Sequence, residues 1–173
     1  AIGTSVEDDA NNAINAANIT FTAADTSLPT TTFSPVDSAT SVAVDSNITL
    51  TFNEAVRLTN DSALDDSNVD ALITLKENNS SGSDIGFDAT INGDKTVITI
   101  NPSSDFSSEQ VIYVAIGTSV EDDANNAINA ASVTFTAVDN AAPTTTFSPL
   151  DNATSVAVAS DITLTFNEAV RLT

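Results

Sequence analysis

The sequence contains the stretch Asn47-Ile48-Thr49-Leu50-Thr51-Phe52-Asn53, in which polar and apolar side chains alternate without exception. This period of two predicts a β-strand with one buried face. Further runs rich in Thr, Val and Ile occupy residues 30–35 with a continuation through Val44, then residues 71–75, 85–91, 95–100, 111–116 and 133–136. About seven short strands within roughly 110 residues predict an all-β fold, an antiparallel β-sandwich.

The dipeptide Asn92-Gly93 separates two of these runs. It favours a type I′ turn, in which both central residues take a positive φ. We therefore expect a tight two-residue hairpin here, with a return strand over residues 95–100 that stops at Asn101-Pro102.

The chain also repeats itself. Residues 1–59 return without a gap at residues 115–173, an offset of 114, and 49 of the 59 aligned residues are identical. A period of this length is too long for a solenoid unit and suits one autonomous domain. We expect residues 1–24 to be the C-terminal strands of a preceding repeat, 25–28 a linker, 29–138 a complete domain, 139–142 a linker, and 143–173 the N-terminal strands of the next repeat.

Composition excludes several classes of function. A formal net charge of −20 repels nucleic acid and anionic membranes, and it favours cations. The absence of cysteine and histidine excludes disulfides, Ser-His-Asp and Cys-His catalysis, and transition metals held by those ligands. With no tryptophan and one tyrosine, the chain has little aromatic surface on which to stack a sugar. We therefore expect no enzyme, no nucleic-acid partner and no insertion into a membrane.

Acidic residues cluster between the last two predicted strands, at Glu121, Asp122 and Asp123. In a sandwich this loop shares a pole with the end of the second strand at Glu54 and with the incoming linker at Asp25. Carboxylate oxygens in a flexible loop are what Ca²⁺ requires. We therefore predict a Ca²⁺ site from these five residues, repeated by their copies Asp139, Glu168, Glu7, Asp8 and Asp9. The alternative is that Asp and Asn only form turns in a solvated loop.

Two segments carry a resemblance to a known family. Residues 34–56, from Ser34-Pro35-Val36-Asp37 to Phe52-Asn53-Glu54-Ala55-Val56, resemble the opening of the bacterial Ig-like repeats of S-layer proteins and giant adhesins. Tyr113-Val114-Ala115-Ile116 and Val133-Thr134-Phe135-Thr136 resemble that family's last two strands. The resemblance implies an Ig-like sandwich and an extender domain of a calcium-dependent, RTX-type biofilm adhesin on the bacterial cell surface. The glycine-rich calcium repeat of RTX tails is absent, so the resemblance is to the stalk.

From these observations we expect a structural extender whose junctions are rigidified by Ca²⁺ and whose partners are neighbouring repeats. The alternative is a module that binds carbohydrate or ice, because Thr20-Phe21-Thr22 and Thr134-Phe135-Thr136 resemble the Thr-x-Thr arrays of ice-binding proteins. We also expect head-to-tail contacts between the half domains of different molecules, since their strand edges would otherwise stay unpaired.

Overall fold

The structure is a computed structural model that describes residues 1–172. Its strands are β1 (Thr31–Ser34), β2 (Ala39–Val42), β3 (Ile48–Phe52), β4 (Arg57–Leu58), β5 (Ile73–Glu77), β6 (Phe87–Ile91), β7 (Val97–Pro102), β8 (Val111–Ile116), β9 (Val120–Glu121), β10 (Ala131–Ala137), β11 (Thr145–Ser148) and β12 (Thr163–Phe166). One 3-10 helix spans Val69–Leu72. No helix among the described residues has the length and apolar character needed to cross a membrane.

Two four-stranded sheets form the sandwich, in the orders β1-β3-β7-β6 and β2-β10-β8-β5. Neighbouring strands run antiparallel except β2 and β10, which are parallel. This is the strand order of an Ig-like sandwich, with the first strand divided between the sheets. The predicted all-β antiparallel sandwich is thereby confirmed.

The core lies between the two sheets and is built by the alternation seen in the sequence. Ile48 and Leu50 of β3 are fully buried, and they face Ile112 and Val114 of β8 across one continuous apolar cluster. Phe135 of β10 is 1% exposed and meets the ring of Phe106 edge-on, at a centroid distance of 5.8 Å. Burial of alternate residues from both sheets is what holds such a sandwich together.

The predicted first strand is divided by a change of sheet. Residues 31–34 pair with β3, whereas residues 39–42 pair with β10 in the other sheet. A side chain fixes the crossing, because the Asp37 carboxylate accepts a hydrogen bond from the Thr134 amide at 2.9 Å. The Ser38 amide in turn donates to the Thr134 carbonyl at 2.7 Å.

The expected type I′ turn at Asn92-Gly93 is wrong. The loop spans residues 92–96, and its positive φ falls on Lys95, at 57°, whereas Gly93 has none. The Asn92 side chain explains the wider loop, since its Oδ1 accepts from the amides of Thr96 and Val97 at 2.8 and 3.0 Å. The return strand consequently begins two residues later and includes Asn101 and Pro102.

The duplicated segments outside the sandwich keep part of its pairing. Strands β11 and β12 pair in the register of β1 and β3, so that Thr145 faces Phe166 as Thr31 faces Phe52. In residues 1–30 only isolated bridges form, between Ile2 and Ala17 and between Glu7 and Ala13.

Candidate metal centre

One pole of the sandwich is formed by two loops that a short pair of strands joins. The loop after β3 contains β4, the loop between β8 and β10 contains β9, and Arg57 pairs with Glu121 in the resulting ladder. Val120 and Ile128, which flank the acidic residues, are 0% and 2% exposed and anchor this loop in the core. The acidic loop is therefore held by burial on both sides.

Asp122 organises the acidic loop itself. Its Oδ1 accepts from the amides of Ala124 and Asn126 at 2.8 and 2.9 Å, and its Oδ2 accepts from Asn126 Nδ2 at 2.8 Å. These bonds, with that from the Asn126 side chain foremost, lower the pKa of Asp122 below its ordinary value of 3.8. The residue is 2% exposed, so the loop holds a charged carboxylate at a buried position.

Three carboxylates from distant parts of the sequence meet at this pole. Oxygens of Asp25, Glu54 and Asp122 all lie within 4.8 Å of one another. Asn126 reinforces the junction, because its Nδ2 donates to the main-chain oxygen of Asp25 at 3.3 Å. The linker before the sandwich is thus in contact with the acidic loop that ends it. Within residues 1–172, no other group of three acidic residues comes this close.

The spacing of these oxygens fits a calcium ion. Ca²⁺ binds oxygen at about 2.3–2.6 Å, so two ligands on opposite sides of the ion are separated by about 4.6–5.2 Å. The three carboxylates satisfy that limit and are hard oxygen donors. Calcium takes six to eight oxygens, so main-chain carbonyls or water would complete the shell. Asp25, Glu54 and Asp122 would be the residues that hold the ion.

The structure does not bring Glu121 and Asp123 into this group. Glu121 pairs with Arg57 instead, with its Oε1 3.3 Å from Arg57 Nε, and its side chain is 7% exposed. Asp123 is exposed, and its carbonyl accepts a long hydrogen bond from Arg57 at 3.5 Å. Arg57 also contacts Asp61 at 2.8 Å. Arg57 is not among the residues predicted from the sequence, although the position recurs as Arg171 in the duplicated segment.

The copies of the site residues fall into two groups, Asp139 with Glu168 and, elsewhere, Glu7 with Asp8 and Asp9. Asp139 lies at the opposite pole, where its Oδ1 accepts from Ser108 Oγ at 2.8 Å. That bond and the Ala141 amide lower the pKa of Asp139, and the side chain of Glu168 lies within hydrogen-bonding reach of it. Asp8 accepts the same loop hydrogen bonds as Asp122. It is exposed, as are its neighbours Glu7 and Asp9.

Comparisons with known proteins identify the family of the chain. A model of a family described as bacterial Ig-like domain matches residues 24–137. No curated protein matches the chain.

Similar solved structures share the fold at low identity. CopC from Methylosinus trichosporium OB3b is 15% identical with a TM-score of 0.42, over 64% of this chain and 92% of that one. The surface layer protein SbsC, domains 1–6, is 12% identical with a TM-score of 0.42, over 69% of this chain and 15% of that one. The LD transpeptidase LdtMt1 is 14% identical with a TM-score of 0.40, over 64% of this chain and 40% of that one. Likenesses this distant carry no argument about function.

Proposed function

Since the chain belongs to the bacterial Ig-like domain family, we propose that it is a structural extender, a stalk module of a large calcium-dependent bacterial adhesin. It would act outside the cell, at the bacterial surface, and without catalysis. Bound Ca²⁺ would stiffen the junctions between its repeats. The observation that carries the proposal is the contact of one linker residue, Asp25, with Glu54 and Asp122 of the repeat that follows it.

The path of the chain supports an extended arrangement of repeats. The linker enters at the pole of the acidic loop, and β10 then runs parallel to β2, away from that pole. The chain leaves at the opposite pole, where the Val138 amide donates to the Val42 carbonyl at 2.7 Å. Entry and exit at opposite ends let successive repeats stack end to end.

The two linker aspartates support a clamp between repeats. Asp25 shows the contact with the following repeat, and its copy Asp139 shows the contact with the preceding repeat, through Ser108. The amides of Asn140 and Ala141 also donate to Ser108 Oγ, at 3.0 and 3.2 Å. A linker residue that contacts both the preceding and the following repeat can fix the relative orientation of the two repeats, provided that its carboxylate is held by both.

Electrostatics supports a cation at that clamp. Asp25, Glu54 and Asp122 crowd three carboxylates into one small volume of a chain whose formal charge is already −20. Like charges at such distances destabilise the arrangement unless a counter-ion binds. The charge of Arg57 helps to lower the pKa of Asp122, but its guanidinium contacts Glu121 and Asp61 and none of the three carboxylates. A divalent ion would remove the repulsion and tie the linker to the repeat.

We predict that Ca²⁺ raises the melting temperature of the chain and that Glu54→Gln removes most of this rise. A ligand that binds only the folded state stabilises it by about 2.7 kcal/mol at 100 times its Kd. Glu54→Gln keeps the shape of the side chain and deletes one ligand charge. Differential scanning calorimetry in millimolar calcium and in chelator measures the effect.

Asp123→Asn is the matched control, because it deletes a charge from the same loop outside the group of three. We expect this variant to keep the calcium-induced rise of the wild type. Equal melting curves of the wild type in calcium and in chelator would contradict the proposed site.

A further inference from the structure

Strand β6 is an edge strand of the complete sandwich, in the sheet β1-β3-β7-β6. Its side chains alternate, with Ala89 and Ile91 buried in the core and Asp88 and Thr90 exposed. The main-chain groups on the outer side of such a strand are a template for pairing with a strand of another molecule. Its five residues, Phe87–Ile91, include one charged side chain, so its own sequence gives little protection against that pairing.

Two aspartates close the outer edge of β6. Asp70 Oδ1 accepts from the Ala89 amide at 2.8 Å, and Asp66 Oδ1 accepts from the Ile91 amide at 2.9 Å. The two amides are two residues apart, so they point to the same side of the strand. A further antiparallel strand would bind such amides with its main-chain carbonyl oxygens. The two carboxylates therefore occupy the donor sites that an added strand would need.

The loop that supplies both aspartates is anchored in the core. Residues 60–72, here called the guard loop, follow β4 and end in the 3-10 helix before β5. Leu64 and Val69, which flank the first aspartate of the pair, are both 0% exposed. Between them the Asn68 side chain accepts from the Asp65 amide at 3.0 Å. The carboxylates thus reach β6 from a backbone that burial holds in place.

The other edges of the sandwich are closed by different means. Residues 83–85 run along β5, where the Ile85 amide donates to the Leu75 carbonyl at 3.0 Å. At the other end of each sheet, β1 and β2 have four residues each, and β1 lies between Pro29 and Pro35. Short strands and prolines make poor templates for pairing. The edge of β6 is closed by side chains, so substitution of those side chains can open it.

We propose that the guard loop keeps two copies of the repeat from joining edge to edge through β6. With Asp66 and Asp70 in place, an approaching strand finds both amides occupied and brings its carbonyl oxygens against two carboxylates. Without them, the β6 edges of two molecules can pair as antiparallel neighbours in one continuous sheet.

The sequence of β6 suits pairing with a second copy of itself. Antiparallel pairing centred on Ala89 sets Asp88 of each copy opposite Thr90 of the other, so that the two like charges do not face each other directly. A protein built from near-identical repeats, as the duplication of residues 1–59 indicates, would present many such edges close together. A closed β6 edge leaves the poles as the places where repeats meet. The inference does not depend on the cation site, which involves none of these residues.

Sedimentation velocity of the whole chain in chelator, with the double variant Asp66→Ala/Asp70→Ala, tests the proposal. We expect the weight-average mass of this variant to rise with concentration more steeply than that of the wild type. Hydrogen exchange gives a second readout. At low concentration the amides of Ala89 and Ile91 should exchange about tenfold faster than in the wild type, because hydrogen bonds to charged groups contribute at least that factor. In the associated state they should be protected again.

Two control variants separate the hydrogen bonds from the loss of charge. Asp66→Asn/Asp70→Asn removes the same two charges but keeps an acceptor oxygen at each position, so it should sediment like the wild type. Asp88→Ala/Asp94→Ala removes two charges from exposed positions in β6 and in the loop that follows it. It should also sediment like the wild type. Association of either control to the extent of the alanine double variant would overturn the proposal.

Circular dichroism shows whether the double variant keeps the sandwich. If the double variant unfolds, the single variants Asp66→Ala and Asp70→Ala take its place, because each frees one amide while the other carboxylate still holds the loop. A folded alanine variant whose mass follows that of the wild type at every concentration would overturn the proposal.

Discussion

The acidic loop occurs twice in the molecule, once inside the complete sandwich and once outside it, with the same local geometry. In both copies the aspartate carboxylate accepts from the amide two residues later, from the amide four residues later and from the asparagine side chain, at 2.8–2.9 Å for Asp122 and 2.9–3.2 Å for Asp8. The isolated bridge of Glu121 to Ala127 likewise recurs between Glu7 and Ala13.

The two copies of the loop differ in their contacts with residues that are distant in the sequence. Asp122 is buried, faces Asp25 and Glu54, and has a neighbour, Glu121, that pairs with Arg57. Asp8 is exposed. The turn is therefore encoded by a few residues, because Asp and Asn side chains satisfy nearby amides. The candidate site is created by the sandwich, which brings remote loops to one pole.

The largest difference between the copies should appear in the core. Phe135→Ala removes a ring that is 1% exposed, and substitutions of this kind cost about 3–5 kcal/mol. The matched change Phe21→Ala, at a position 89% exposed, should leave the free energy of unfolding of the sandwich unchanged in dilute solution. Urea unfolding of both variants measures the contrast. Similar losses of stability would show that the first copy is packed after all.

A smaller loss of stability is expected when Arg57, the ion-pair partner of Glu121 in the acidic loop, is replaced. Arg57→Gln leaves the Glu121 carboxylate, 7% exposed, without its ion pair. Leaving a buried polar group without its partner costs about 1–3 kcal/mol. Arg171→Gln changes the equivalent position in the exposed copy and should not alter the unfolding of the sandwich. Thermal unfolding at low protein concentration and in chelator compares the two. Equal stability of both variants would mean that Arg57 does not hold the loop.

The smallest effect concerns acid stability. The amide of Thr134 lowers the pKa of Asp37 below its ordinary value of 3.8, and Ser38 adds to the effect. Because the folded-state pKa is the lower one, the stabilisation is present above about pH 3.8 and is lost as the pH falls through the lowered pKa. Asp37→Asn, whose side-chain oxygen still accepts from Thr134, should show a weaker loss of stability in acid.

Asp151→Asn is the matched change for this test, since Asp151 is the copy of Asp37 in the exposed segment. Its acid unfolding should follow the wild type. Chemical unfolding between pH 2 and pH 6 gives both curves, and coincident curves for Asp37→Asn and the wild type would remove Asp37 from the acid response.

Local patterns in the sequence predicted the strands well. Ile48–Phe52 is a strand with Ile48, Leu50 and Phe52 buried, as its alternation indicates. That case depends only on the period of side chains along one strand, which a sequence displays directly. Val111–Ile116 is also a strand, but its residues are all apolar, and only the structure shows that Ile112, Val114 and Ile116 are the buried ones. The all-β sandwich followed from the number and spacing of such runs.

Features that depend on remote contacts were missed. The division of the first strand depends on Asp37 and Thr134, which are 97 residues apart. The sequence also placed the acidic loop at the pole of Asp25 and Glu54. It did not indicate which carboxylate of that loop meets those two residues. That choice follows from the pairing of β9 with β4, which directs Glu121 towards Arg57 and leaves Asp122 to meet Asp25 and Glu54. The hairpin turn was wrong because the Asn92 side chain, bonded to Thr96 and Val97, stabilises a wider loop.

The most direct test of the extender proposal is small-angle X-ray scattering of a chain of four tandem repeats, measured in calcium and then in excess chelator. If a cation held between the linker aspartate and the acidic loop fixes successive repeats, the calcium form should scatter as a rod. Chelation should then shorten it, with a smaller radius of gyration, because linkers of a few residues become flexible tethers. A radius of gyration that is unchanged by chelation would contradict the account.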